Sequence, residues 1–126
     1  MKIMEKNDYI AEARRYIDNA KEILNEKAKK QDGYYTDGKY VKMAGHTAYA
    51  GVLVALDGKF GKKGRGRKDI DWYRQETKKW NVKLLPVLNS TYEILHLFLG
   101  YDGTKDARIA KIGIDNAERI ISAVEK

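Results

Sequence analysis

The stretch KYVKMAGHTAYAGVLVAL, from Lys39 to Leu56, limits the fold more than any other part of the chain. Its small residues Ala44, Ala48, Gly51 and Ala55 recur at steps of four, three and four, so they line one face of a helix and admit a neighbouring backbone at short range. Val41, Gly45, Val52 and Leu56 form a second stripe beside them. A helix that is apolar most of the way round belongs in a core, so other helices must surround this one. His46 and Tyr49 are its polar-capable side chains, and any site is expected near them.

The flanking segments carry the amphipathic pattern such a centre requires. The spacing predicts a first helix from an Asn7 or Asp8 cap to about Lys30, with Ile10, Ala13, Ile17, Ala20, Leu24 and Ala28 buried. Gln31-Asp32-Gly33 is expected to close it, glycine supplying the left-handed conformation. Thr36 or Asp37 caps the central helix; with Thr36 as cap, Tyr35 and Tyr40 have the spacing of a hydrophobic staple. Asp57 and Gly58 are expected to end it. Asp69 then caps a short helix carrying Trp72, Tyr73 and Trp80. A break is expected near Asn81, because an unbroken helix would hold Pro86 in its interior at a cost of about 3 kcal/mol. The segment from Val82 to about Leu99 turns Leu84, Leu85, Leu88, Tyr92, Leu95 and Leu99 inward. Thr104 caps the last helix, with Ala110, Ile114, Ala117, Ile121 and Val124 buried.

The expected fold is therefore all-α: one domain over residues 1–126, a four-helix up-and-down bundle with an additional short helix in the long second connection. Residues 17–24 (IDNAKEIL) echo residues 114–121 (IDNAERII). Two helices that solve the same packing problem account for the echo, as would first and last helices lying side by side.

Composition narrows the setting. The chain has no cysteine, which removes disulfides and thiolate metal sites and fits a reducing compartment. MKIMEKNDY does not read as a secretory signal, and no apolar stretch is long enough to span a bilayer. A cytoplasmic chain without membrane contact is expected.

The formal net charge of +7 is concentrated in one place. Residues 59–68, KFGKKGRGRK, hold Lys59, Lys62, Lys63, Arg65, Arg67 and Lys68 and no acid; outside them 19 Lys and Arg face 18 Asp and Glu. Six cations on one connection could follow a phosphate backbone, with Phe60 and Trp72 available for stacking. The same segment also reads as a solvated link between helices. It is not a P-loop, since no lysine and hydroxyl residue follow the final glycine as that loop requires and no strand precedes it.

Chemistry elsewhere is incomplete. Glu93 and His96 have the Glu-x-x-His spacing of paired metal centres in bundles, but that architecture needs a second such motif and two more carboxylates. His46 is the only other histidine, so no metal site is assigned and no cofactor is expected. Thr47, Ser90 and Thr91 come near histidines only as helical neighbours, which does not make a nucleophile and base. His46, Tyr49, Asn89, Tyr92, Glu93 and His96 are instead expected to form buried hydrogen bonds in an apolar interior. Tyr34, Tyr35, Trp72, Tyr73, Trp80 and Tyr101 fall outside the long helices, as an interface with a partner or second copy would require, or as a satellite cluster over one end of the bundle.

The segments DGYYTDGKYVKMAGHTAYAGVLVALD and LLPVLNSTYEILHLFLGYDG, with the basic loop between them, resemble a small family of uncharacterised bacterial helical proteins classed as a domain of unknown function. More loosely, the alanine-rich second helix leading into a glycine-basic loop resembles HEPN domains, helical bundles of nucleotide- and RNA-related systems. That wider resemblance implies an up-and-down bundle, often dimeric. HEPN ribonucleases carry an arginine four to six residues before a histidine. Tyr40, Val41 and Lys42 precede His46 at that distance, and Ser90, Thr91 and Tyr92 precede His96. Arginine is absent from both, so the resemblance implies a catalytically degenerate member or a nuclease of another design. The function expected from the residues is a non-enzymatic interaction module, a candidate homodimer, contacting nucleic acid or an acidic protein through the basic loop.

Overall fold

The computed structural model describes residues 5–61 and 66–126. Four long helical segments form the bundle. They are α1 (Lys6–Glu22), extended by a π-helical stretch (Ile23–Ala28); α2 (Gly38–Phe60); α4 (Leu85–Thr91), extended by a second π-helical stretch (Tyr92–Tyr101); and α5 (Ala107–Glu125). The short helix α3 (Ile70–Trp80) and a 3-10 turn (Val82–Leu84) lie in the second connection. Strands β1 (Lys30–Gln31) and β2 (Tyr34–Tyr35) make a small antiparallel hairpin between α1 and α2.

The core follows the two stripes. Ala44, Ala48, Gly51 and Ala55, and Val41, Gly45, Val52 and Leu56, are all buried, and α2 packs on α1, on the extension of α4 and on α5. Helices α1 and α5, which carry the internal echo, lie side by side. Ion pairs Arg14–Glu125 and Lys21–Glu118, each 2.8 Å, join their outer edges. The buried residues expected of α5 are all buried. Pro86 sits in the first turn of α4, where its missing N–H removes no helical hydrogen bond.

Several boundaries differ, each for a local reason. Glu5 is the cap of α1, because Asp8 occupies the third helical position and its carboxylate accepts from the Glu5 N–H at 3.0 Å. The helix closes at Lys29 (φ 54°), and Asp32 (φ 54°) and Gly33 (φ 84°) form the hairpin turn instead. Asp37 caps α2 by accepting from the Lys39 N–H, so Tyr35 and Tyr40 are not in staple register. Asp57 and Gly58 do not end that helix; it continues to Phe60 and closes at Gly61 (φ 74°). Asp106, not Thr104, caps α5, because the Thr104 N–H reaches back to the Phe98 carbonyl at 2.9 Å. The breaks at Asp69 and Asn81 fall where expected, each side chain accepting a backbone N–H.

The hairpin is joined to the opposite connection. The Tyr35 N–H donates to the Lys105 carbonyl at 2.8 Å and the Ala107 N–H to the Gly33 carbonyl at 3.0 Å. This fixes the start of α5 beside the start of α2.

The closest approach of one backbone to another is at Gly45. A methyl group there would lie 2.7 Å from the Leu95 carbonyl oxygen, the Gly100 nitrogen and the Leu99 Cβ. Backbone cannot yield as a side-chain tip can, so Gly45→Ala is expected to cost about 1–3 kcal/mol of stability. Gly38→Ala, whose nearest contacts would be 3.4 Å, is expected to be nearly neutral. Urea unfolding of both variants checks the difference.

Candidate functional site

The basic segment begins as the last turn of α2 and ends at the cap of α3. Lys62, Lys63 and Arg65 lie outside the described residues. Lys59 is exposed, with its ammonium 5.0 Å from the centre of the Trp80 ring. Arg67 is exposed. Lys68 Nζ donates to Asp57 Oδ1 at 2.9 Å and to the Gly61 carbonyl at 2.8 Å, and it stands 5.2 Å from the Trp72 ring centre. The two ends of the segment are thus held against the protein.

What holds them is an aromatic cap. Phe60 packs edge-on against Trp72 at 6.0 Å and Trp80 at 5.9 Å, and Trp72 against Tyr73 at 5.0 Å. Such contacts add about 0.5–1.5 kcal/mol beyond the area they bury. The Tyr73 hydroxyl donates to the same Asp57 Oδ1 at 2.7 Å. Burial first, then the hydrogen bond and the charge of Asp57, push the Tyr73 phenol well above its ordinary range, so it remains a donor. Asp57, read in the sequence as a helix stop, is the anchor of this corner. Nothing local in the sequence reveals this, because its partners lie 11 and 16 residues away across the connection.

The six residues expected to share a buried polar pocket are arranged differently. His46, Asn89 and Glu93 are exposed, and Tyr49, Tyr92 and His96 are half-buried. On α4 and its extension, Leu88, Thr91, Leu95 and Leu99 take the inward face, which turns Asn89 and Glu93 to solvent. On α2 the two apolar stripes leave His46 on the outer edge. Rings replace hydrogen bonds as the cohesive contact. His96 lies 4.8 Å from Tyr49, 5.1 Å from Tyr92, 5.2 Å from Tyr101 and 6.0 Å from His46, centre to centre. Asn89 Oδ1 accepts from Arg74 Nε at 2.8 Å, and the Arg74 guanidinium covers Tyr92 at 5.2 Å. Arg74 thereby ties α3 to α4, a role the sequence reading missed. Burial, and less so the neighbouring Tyr92, raise the Tyr49 phenol to about 12, against the opposing pull of Arg74.

The tyrosines and tryptophans do not make one surface. Trp72, Tyr73 and Trp80 belong to the aromatic cap, Tyr34 and Tyr35 to the hairpin, and Tyr101 to the histidine cluster. Among the described residues no group of three or more His, Cys, Asp or Glu could hold a metal ion, and no helix is long and apolar enough to cross a membrane.

His96 has a measurable consequence. Its Nδ1 is buried without a hydrogen-bond partner among the described residues, and burial first, then the nearby His46, lower its pKa from 6.5. Below that value the unfolded chain takes up a proton that the folded chain resists. Stability from this group is therefore unaffected at neutral pH and declines as pH falls through 6.5. His96→Phe is expected to flatten the fall in urea midpoint between about pH 7 and pH 5; an unaltered pH profile would assign the loss to other groups.

The sequence matches a domain of unknown function, DUF5618, over residues 8–126. It is similar to a protein of unknown function from Dyadobacter fermentans whose structure is solved, at 52% identity over 97% of this chain and 98% of that one, with a TM-score of 0.94. No curated protein matches it. With nearly its whole length matched and its helices superimposing on those of that protein, the chain belongs to the DUF5618 family.

Proposed function

We propose that this chain is a non-enzymatic interaction module that contacts a polyanion through residues 59–68, single-stranded RNA being the simplest fit. The observation that carries the reading is the concentration of charge: six cations and no acid in ten residues, on a chain otherwise close to neutral. The anchoring of Lys68 on Asp57 and the seating of Phe60 between Trp72 and Trp80 add to it. A connection fixed at both ends has less conformational freedom to lose on binding. Each phosphate contact then releases counterions and gives an affinity that falls steeply with salt.

Lys68 has a structural partner, so the test keeps it. Replacing Lys59, Lys62, Lys63, Arg65 and Arg67 with serine is expected to abolish binding of labelled single-stranded RNA in fluorescence anisotropy at about 50 mM salt. The unmodified chain is expected to lose affinity with salt at a log–log slope of about 0.7 per phosphate contact. Equal binding by both proteins would remove the proposal.

A second reading, a HEPN-like RNA- or nucleotide-related protein with residual nuclease activity, draws on the 6.0 Å approach of the His46 and His96 rings. It requires RNA cleavage by the purified protein that disappears in His46→Ala and His96→Ala, and intact RNA after prolonged incubation would exclude it.

A further inference from the structure

Along one edge of α2, His46 and Tyr49 meet Tyr92, His96 and Tyr101 of the π-helical extension of α4 in a continuous seam of rings. We infer that this seam is an acid-sensitive latch: a proton taken up by His96 frees the extension from α2 locally, while the rest of the bundle stays folded.

The surroundings of His96 suit a neutral imidazole and not a charged one. Tyr49 at 31° and Tyr92 at 34° lie tilted against it, and Tyr101 stands edge-on at 80°. Nδ1 is buried without a hydrogen-bond partner among the described residues. An imidazolium has a donor at both nitrogens, so protonation leaves a buried N–H without an acceptor and adds a charge beside it. Tyrosine ring faces attract a cation, but they supply no acceptor for that N–H.

No carboxylate answers the charge, since neither histidine takes part in an ion pair among the described residues. The groups that face His96 from other elements are basic. From α2 come His46, at 6.0 Å, and one turn earlier Lys42, whose Cε lies 3.1 Å from where a methyl on Gly103 would sit. From α3 comes Arg74, over the Tyr92 ring at 5.2 Å. Glu93 and Asp102, the acids of the extension and its closing residue, are exposed. Helix α5 meets the extension elsewhere, with Gly113 against Ile94 and Leu95. Burial first, then the charge of His46, accordingly favours the neutral ring.

The extension is the part placed to respond. Its ten residues run as a π-helix, closed by the Asp102 N–H on the Leu97 carbonyl at 3.0 Å, and π-helices longer than a single turn are rare. It therefore depends on its neighbours more than an α-helix of that length does. On α2 the support is direct: His46 lies on the Gly100 backbone, where a methyl would come 2.9 Å from its Cε1 and 3.0 Å from its Nδ1. Both imidazoles thus bear on one stretch, and Arg74, bound to Asn89 Oδ1 at 2.8 Å and covering Tyr92, carries its movement to α3. The seam between α1 and α5 has no imidazole to protonate, the chain having only these two histidines.

Hydrogen–deuterium exchange of the intact chain at about pH 7.5 and about pH 5, corrected for the intrinsic rate, tests the latch. Amides of Tyr92–Tyr101 are expected to lose protection by up to about tenfold per pH unit below the usual imidazole value, while those of α1 and α5 keep theirs. His96→Phe keeps a ring in the seam and removes the proton; it is expected to hold the protection of Tyr92–Tyr101 constant over that range. His46→Phe is expected to lessen the loss without abolishing it, and abolition there would assign the proton to His46 instead. An NMR titration of the unmodified chain needs no variant to fold: the His96 ring is expected to titrate below 6.5, with the amides of Tyr92–Tyr101 shifting at the same midpoint and those of α5 unchanged. Loss of protection spread evenly over all helices would overturn the latch, as would the same local loss in His96→Phe or a His96 midpoint at or above 6.5.

Discussion

The distance between backbones around α2 is the constraint on which the rest of the structure depends. Gly45 admits the extension of α4, whose carbonyl and amide groups come where a side chain would otherwise be. Gly51 admits α1, with the Ala13 carbonyl oxygen 3.1 Å and the Tyr16 Cβ 2.8 Å from where a methyl would sit, and Gly58 admits Tyr9 at 2.6 Å. Three glycines spaced along one helix thus bring two different neighbours to the shortest range, and alanines fill the steps between them. Dispersion attraction falls off sharply with separation, so each contact around α2 gains from the small residues that permit it. The aromatic cap, built on Phe60 at the end of α2, extends this packing beyond the last of those glycines.

Long-period features of this fold were legible in the sequence and short-range ones were not. The stripes of α2, the buried face of α5, the break at Asn81 and the cap at Asp69 all declare themselves through spacing or through one residue with a strong local preference. The hairpin at 30–35 did not, since two-residue strands have no period to detect, and Asp32-Gly33 signals a helix end and a hairpin turn equally well. Gly58 is deceptive for a related reason. Glycine after a helical run suggests termination, but here it lies inside the helix, where Tyr9 leaves no room for a side chain, and a partner nearly fifty positions away leaves no local trace.

The polar residues show where helical phase alone is too coarse. A helix with a wide apolar arc has little room for an outer face, and a shift of one position moves a residue from the interior to its edge. His46 and Asn89 fell on the outer side of that edge, and His96 straddles it with one nitrogen buried. Burial of such a ring is tolerated because Tyr49, Tyr92 and Tyr101 surround it, giving close packing in place of hydrogen bonds. The basic residues present the opposite case. Their number and clustering were plain from the sequence, whereas the attachment of Lys68 to Asp57 depends on how α3 folds back.

The pairing of α1 with α5 has a topological consequence. Lys6 Nζ donates to the Lys126 carbonyl at 3.2 Å, so contacts run from α1 to α2, from α2 to α4 and α5, and from α5 back to α1. The packing is a closed circuit, while the covalent chain is an open line laid along it. A break in the backbone between residues 61 and 66 would leave a piece with α1 and α2 and another with α3, α4 and α5. Each would expose the apolar face the other is shaped to cover, so the two halves carry within them the instructions for finding one another.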